Sequence, residues 1–296
     1  MNLKDLTPAA KAAVDTKTIT GGWELRPLVK LLAELERWDN MAEGRKSRAK
    51  RIFIASLIGS FVGFIVMIIV SSEAGFLYGL PCFLVPLAMV FLGVRMKKAA
   101  RAVDLPNELR ISVRPVLKQL SQDLHPEEKI RVTMNLAGID EKNGGRKTDL
   151  PPGRNRSLTQ SAFDEDLCSI RLPLADGTQA LLRMENAYYK LERKYTSSRG
   201  KYKSKTKWKK LTSVTAMLIP PSRISWESGR IASMIDRRTE RLTFVEKDGV
   251  LAARMDRYYK FKEAGEIPDK AVPGADILRM FVRLTAMRPQ AAGGAR

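Results

Sequence analysis

The chain has 296 residues, enough for one or two domains with a sizeable core, and 52 Lys and Arg against 32 Asp and Glu leave a net charge of +20. That excess directs attention to acidic partner surfaces. A single histidine, His125, and two cysteines, Cys82 and Cys168, exclude a histidine-bearing triad, a His- or Cys-rich metal site and a disulfide framework.

Near the start, Thr7 and Pro8 form a helix-opening pair, N-cap and first-turn proline, for a short helix that Gly21 and Gly22 interrupt. From Pro27 to Met41, Leu28, Leu31, Leu32, Leu35 and Trp38 recur every three or four positions opposite Lys30, Glu34 and Arg37. This is an amphipathic helix. Its stripe suits either the bilayer interface, with Trp38 at headgroup depth, or docking onto the protein's own cytoplasmic domain, and the sequence leaves both open.

Two uncharged runs follow, 19 residues from Ile52 to Val70 and 21 from Ala74 to Val94. As helices they measure about 28 and about 32 Å, matching a hydrocarbon layer of about 30 Å. Only Ser71, Ser72 and Glu73 separate them, so the expectation is a tight turn and a transmembrane hairpin. The run begins too late, after about fifty polar residues, for a signal peptide. Arg45, Lys46, Arg48, Lys50 and Arg51 precede the first span, and Arg95, Lys97, Lys98 and Arg101 follow the second. Counted over short flanks, that bias places both termini in the cytoplasm of a two-span cell-membrane protein. Ala55, Gly59 and Gly63 in the first span and Gly75 and Gly79 in the second are spaced for close helix packing, within the hairpin or between copies of it. Pro81 and Pro86 should bend the second span. No ionisable residue lies inside either span, which disfavours an ion or proton path.

Beyond Arg101, Pro106 opens a helix with Leu109, Val113, Val116, Leu117, Leu120 and Leu124 on one face, kinked at Pro115 and ended at His125 and Pro126. Strict alternation from Lys129 to Leu136 predicts a half-buried strand. Residues 137–157 read as a long loop. Strands from Cys168 to Leu174 and from Thr178 onward flank Asp176 and Gly177, and Asp248 and Gly249 join residues 242–246 to residues 250–261; both are hairpins. A helix over residues 223–241 is a weaker expectation. A closing helix from Pro273 to Met287 carries Ile277, Met280, Phe281, Leu284 and Met287 on its apolar side. The fold class is α+β: a two-helix transmembrane hairpin, then a cytoplasmic antiparallel-sheet domain with flanking helices. The expected division is 1–51 (N-terminal helices and basic flank), 52–94 (hairpin) and 95–296 (basic domain).

The charge of that domain is concentrated in Arg193, Lys194, Arg199, Lys201, Lys203, Lys205, Lys207, Lys209 and Lys210, a stretch without an acid. In an extended strand Lys201, Lys203, Lys205, Lys207 and Lys209 share one face, with Tyr202 and Trp208 on the other. Two strands joined around Ser197 to Gly200 would make a positive ribbon for anionic lipid headgroups, where each Lys or Arg contributes about 1 kcal/mol. An acidic protein or nucleic acid is a further candidate partner. Lysines on an edge strand also prevent sheet-to-sheet aggregation without binding anything.

Chemistry-bearing motifs are sparse. There is no GxGxxG, GxxxxGK[ST] or GxSxG; Gly144 to Thr148 imitates only the end of a phosphate loop. Asp164, Glu165 and Asp166 read as a solvated loop or helix start, and Cys168 as a small buried hydrophobe. The expectation is no catalytic residue, no metal and no cofactor. The function expected is a membrane-anchored basic interaction module. The alternative is an oligomeric or pore-forming membrane effector whose cytoplasmic domain senses a ligand.

Overall fold

The computed structural model describes residues 6–74, 76–103, 105–124, 129–139, 145–151, 156–221, 240–247, 250–265 and 267–286; for 70–74, 76–79, 82, 83, 97, 99–103 and 247 it describes backbone alone. The chain divides into two compact units, one of residues 34–105 and one containing 6–33 and the chain from 106 onward.

In the sheet-bearing unit, α1 (Pro8–Thr16) starts as expected, with the Thr7 hydroxyl accepting from the Ala10 amide at 3.4 Å. Lys17 then adopts left-handed backbone and the chain turns into β1 (Thr18–Trp23). The glycines that end the helical pattern thus lie in a strand. Leu28, Leu31 and Leu32 of the following helix are buried, so these positions form a packing face.

All strand pairings are antiparallel. The remaining strands are β2 (Ile130–Asn135), β3 (Arg146–Asp149), β4 (Ser157–Pro173), β5 (Gln179–Thr196), β6 (Tyr202–Ile219), β7 (Glu240–Lys247) and β8 (Val250–Ala264). They form one sheet in the order β1-β2-β4-β5-β6-β8-β7, with β3 added beside the first half of β4. Both predicted hairpins pair as expected; Gly177 supplies the positive φ, 79°, of the first, and Asp248 and Gly249 lie outside the described residues. Three expectations are corrected. The loop at 137–157 contains β3 and the first residue of β4. The acidic run 164–166 lies within β4. Glu240 and Arg241 open β7, whereas the rest of the weak helix falls outside the described residues, as do His125 and Pro126.

A bulge between Asp166 and Cys168 decides which side chains of β4 are buried. Before it, Ser161, Phe163, Glu165 and Leu167 point inward; after it, Cys168, Ile170 and Leu172 do. Without that extra residue, Glu165 and Ile170 would occupy opposite faces.

Helices cover the inner face. The predicted helix from Pro106 begins as a π-helical turn, Leu109–Val113, followed by α4 (Arg114–Leu120). Pro115 follows directly on that wider turn and lies in the first turn of α4, where a missing N–H costs little. A helix later in the chain, Gly274–Ala286, buries Ile277, Met280, Phe281 and Leu284 as expected; Met287 lies outside the described residues. Gly274 touches the π turn so closely that an added Cβ would lie 2.9 Å from the Pro115 side chain and 3.0 Å from the Ser112 carbonyl oxygen.

The amphipathic helix, the basic flank and the first apolar run are one element, α2 (Leu25–Ala74), 50 residues long, of which residues 34–74 belong to the unit of residues 34–105. Gly44 fails to break it because one glycine costs about 1 kcal/mol and the residues around it favour helix. Ser71, Ser72 and Glu73 are helical, so the expected turn does not occur there. The next helix, α3 (Phe76–Val103), keeps Pro81 and Pro86 inside it; we number the closing helix α5. By length and composition α2 can cross a membrane, whereas the described apolar stretch of α3, Leu84–Met96, is shorter. The apolar half of α2 is not a core helix: Leu57, Ile58, Phe61, Val62, Ile68 and Ile69 are all exposed, Phe61 to 69%.

Gly59 faces Pro86, and a Cβ on Gly93 would lie 3.2 Å from Cα and Cβ of Phe53, so α2 and α3 run antiparallel in contact. Gly63 is buried. Ala55, placed in that seam by its spacing, is exposed instead, and Ser56 is buried in its stead. The 3.6-residue period rotates a strict four-residue stripe off the contact face. Gly75 is outside the described residues, and only backbone is described at Gly79. Arg45, Arg48, Lys50, Arg51, Arg95 and Lys98 are exposed and Lys46 half-buried; the side chains of Lys97 and Arg101 are not described.

Candidate functional site

The β5–β6 hairpin holds the basic stretch. Its strands pair residue by residue from Gln179 opposite Ile219 to Thr196 opposite Tyr202, and a four-residue turn closes it: the Gly200 amide donates to the Ser197 carbonyl at 2.9 Å, with Gly200 at φ 74°. Arg199 and Lys201 are exposed at this turn. Directly opposed residues share a face, so Lys203, Lys205, Lys207 and Lys209 lie beside Tyr195, Arg193, Leu191 and Tyr189. The register with β8 adds Lys260 and Lys262, and that of β3 and β4 adds Arg146. The outer face at this end of the sheet thus carries eight basic side chains, none ion-paired with another described residue.

Tyrosines brace several of these cations. Lys209 Nζ lies 5.1 Å from the centre of the Tyr189 ring, and the Arg193 guanidinium lies 5.2 Å from that of Tyr195. At the rim, Arg156 stacks on Tyr202 at 4.0 Å and donates to the hydroxyl of that tyrosine at 2.7 Å. Edge protection accounts for part of the pattern only. β8 reaches no farther than Ala264, opposite Lys207, so among the described residues Lys203 and Lys205 have no strand beside them on that side, while Lys207 and Lys209 belong to an interior strand. Lys194 is exposed on the other face of the ribbon.

Lys210 is the correction. It is 2% exposed, points inward beside Trp208 and pairs with Glu108, so it cannot belong to the ribbon. Strand parity gives the reason: Lys210 is in phase with Trp208 and Thr212, both buried, and out of phase with the odd-numbered lysines. Around it is a sealed polar cluster. The Lys210 ammonium donates to Glu108 and, at 3.1 Å, to the Lys270 carbonyl. Asn186 donates to Glu165 at 3.1 Å and accepts from Thr212 at 2.8 Å, and the Tyr188 hydroxyl donates to the same Glu165 oxygen at 3.2 Å. The second oxygen of Glu165 is buried without a hydrogen-bond partner.

Burial raises the Glu165 carboxyl above its ordinary value, and nearby Glu108 adds to the effect against the bonds from Asn186 and Tyr188. The Tyr188 hydroxyl is pushed upward by the same burial and by Glu165 and Glu108. Burial also pushes the Cys168 thiol up to about 12, leaving an inert thiol. The space beside Glu108 is about 10 Å³, room for one water at most. The chemistry open to this cluster is holding an ion pair and a proton while tying the segment before α5 to the sheet. Asn107 and Ser112 hold the same segment through Asp269 and the Val272 carbonyl.

Sequence reasoning missed this cluster, although parity could have found it, because Glu165 is in phase with Phe163. Among the described residues no three His, Cys, Asp or Glu side chains gather as a metal site would require. Residues 146–148 are strand, so the imitation of a phosphate loop has no loop-to-helix turn behind it. Compared with models of known protein families, with curated proteins and with solved structures, the chain matches none.

Proposed function

We propose that this protein is anchored in a membrane by α2 and α3 and presents the outer face of its sheet to anionic lipid headgroups. The observation that carries the reading is the acid-free row Lys203, Lys205, Lys207 and Lys209, without an ion pair among the described residues and preformed on hydrogen-bonded strands. A preformed ribbon avoids the backbone ordering term of about 1–2 kcal/mol per residue that a loose basic tail meets on binding. The exposed apolar flank of α2 supports the anchor, because so large a greasy surface is stable only against lipid or protein. On this reading the apolar runs form two spans, both termini are cytoplasmic, and the chain acts as an interaction module rather than an enzyme.

The test uses full-length protein in nanodiscs of neutral lipid, mixed with vesicles containing phosphatidylserine. Reversing Lys203, Lys205 and Lys207 to Glu removes about 1 kcal/mol per residue and should weaken vesicle capture by about two orders of magnitude. Capture that is unchanged, or that survives high salt, rejects the reading.

A further inference from the structure

At the other end of the same outer face, β1, β2 and β4 line a cleft of about 620 Å³. Arg131 of β2 stands directly opposite Arg171 of β4, and Gly22 of β1 stands opposite Arg131. Lys129 also lines the cleft, its side chain beside Gly22. Opposed side chains in an antiparallel pair have Cβ atoms about 5 Å apart, where like charges repel and destabilise the pair. No carboxylate lines the cleft among the described residues, although elsewhere on this face Arg183 is ion-paired with Asp166 and Glu185, and Arg254 with Asp256.

The floor has room for a ligand. Gly21, at φ 118°, and Gly22 remove side chains where β1 borders the cleft, and Thr133 and Gln179 offer uncharged hydrogen-bonding groups at its sides. Two arginines and a lysine lining one polar hollow supply the donors that suit phosphate oxygens. The volume falls in the range of small-molecule sites, about 300–1,000 Å³.

We infer that this cleft binds a soluble phosphate ester or diphosphate, held between Arg131 and Arg171 with Lys129 closing over it. The site is separate from the lysine ribbon and goes beyond the membrane reading: it gives the anchored domain a small-molecule input. A phospholipid headgroup shares the same chemistry, and the experiment separates the two sources.

Full-length protein in neutral detergent is titrated calorimetrically with inorganic pyrophosphate, and in a second arm with vesicles containing phosphatidic acid. Arg131→Gln and Arg171→Gln should each weaken pyrophosphate binding at least about tenfold, since each removes a charge-assisted fork. A Lys11→Gln, Lys118→Gln double variant, which lowers the net charge at exposed positions on α1 and α4, should bind as the parent does. Without ligand, Arg171→Gln should melt no lower than the parent, because it relieves the opposed charges. Pyrophosphate binding that is absent, or equal in parent and arginine variants, overturns the inference. So does arginine dependence confined to the vesicle arm, or a lower melting temperature for unliganded Arg171→Gln, which would make Arg171 a residue the fold itself requires.

Discussion

Replacing Lys210 with Met tests the inward placement of a residue that ends a run of mostly exposed lysines. Lys210 and Glu108 are 2% and 5% exposed, so removing the ammonium leaves a carboxylate with almost no water around it and strands the Lys270 carbonyl. Breaking a buried ion pair from one side costs about 3–5 kcal/mol, a large part of the roughly 5–15 kcal/mol that holds a domain folded. For a unit of about 200 residues, 1 kcal/mol moves the melting temperature by about 2–4 °C, so Lys210→Met should melt about 6–20 °C lower. Tryptophan fluorescence is a suitable readout, because Trp208 is buried with its ring 5.9 Å from that of Phe163. Adding Glu108→Gln should restore much of the loss: the amide oxygen still accepts from Asn186, and no charge is left unpaired. A single variant that melts within about 2–4 °C of the parent, a shift of order 1 kcal/mol, would refute the reasoning and return Lys210 to the solvent face.

Glu165→Gln should flatten the pH dependence of stability. The folded chain keeps Glu165 protonated above 4.5, where the unfolded chain ionises, so stability falls as pH rises through the window up to the raised folded value; the variant, which has no proton to release, should show a smaller decline by thermal melts across that range. An unchanged profile would place Glu165 in water. The contact between α2 and α3 predicts that Phe53→Cys with Gly93→Cys, in a background of Cys82→Ser and Cys168→Ser, forms an intrachain disulfide on mild oxidation, since an added Cβ at 93 lies 3.2 Å from that of Phe53. Interchain crosslinks alone, on non-reducing gels, would contradict the antiparallel pairing.

Much of this fold is legible in the sequence where a local signal agrees with the tertiary outcome. Ile130, Val132 and Met134 alternate and are buried; Thr7 caps the helix it precedes; Gly177 turns the hairpin it was read to turn. The misses share another cause. β1 is a strand because β2 offers a partner edge, and TITGGW carries no apolar alternation of its own. β3 likewise exists only through its register with β4. The bulge at Asp166 and Cys168 reverses the phase of β4, so no single alternation covers Glu165 and Ile170 together. Proline at 115 looked like a defect because the π turn that accommodates it is stabilised from outside the helix, by Ser112 bonding to the Val272 carbonyl and by the close approach of Gly274. Of the ribbon, eight of the nine basic residues stay on the surface; parity puts Lys194 and Lys210 on the inner face, and Lys210 is the one that lies beneath Glu108 and the segment before α5.

The described charges also sort themselves by whether the fold answers them. Glu240 accepts from Arg257 at 3.2 Å and from Arg283 at 2.6 Å, which fastens α5 to β7 and β8. Asp256 takes Arg254 and the Thr215 hydroxyl, and Glu108 takes Lys210. Each of these carboxylates is buried and each is matched, as burial demands. The ribbon lysines and the opposed pair Arg131 and Arg171 receive no such match from a described residue, and the registers that set them side by side hold like charges together at a cost to stability. Solubility does not require that arrangement, because the same charges scattered over both faces would serve it with less repulsion. Two separate concentrations of positive charge on one sheet face are therefore left without a carboxylate partner among the described residues, and these are the places where the two proposed anion sites lie.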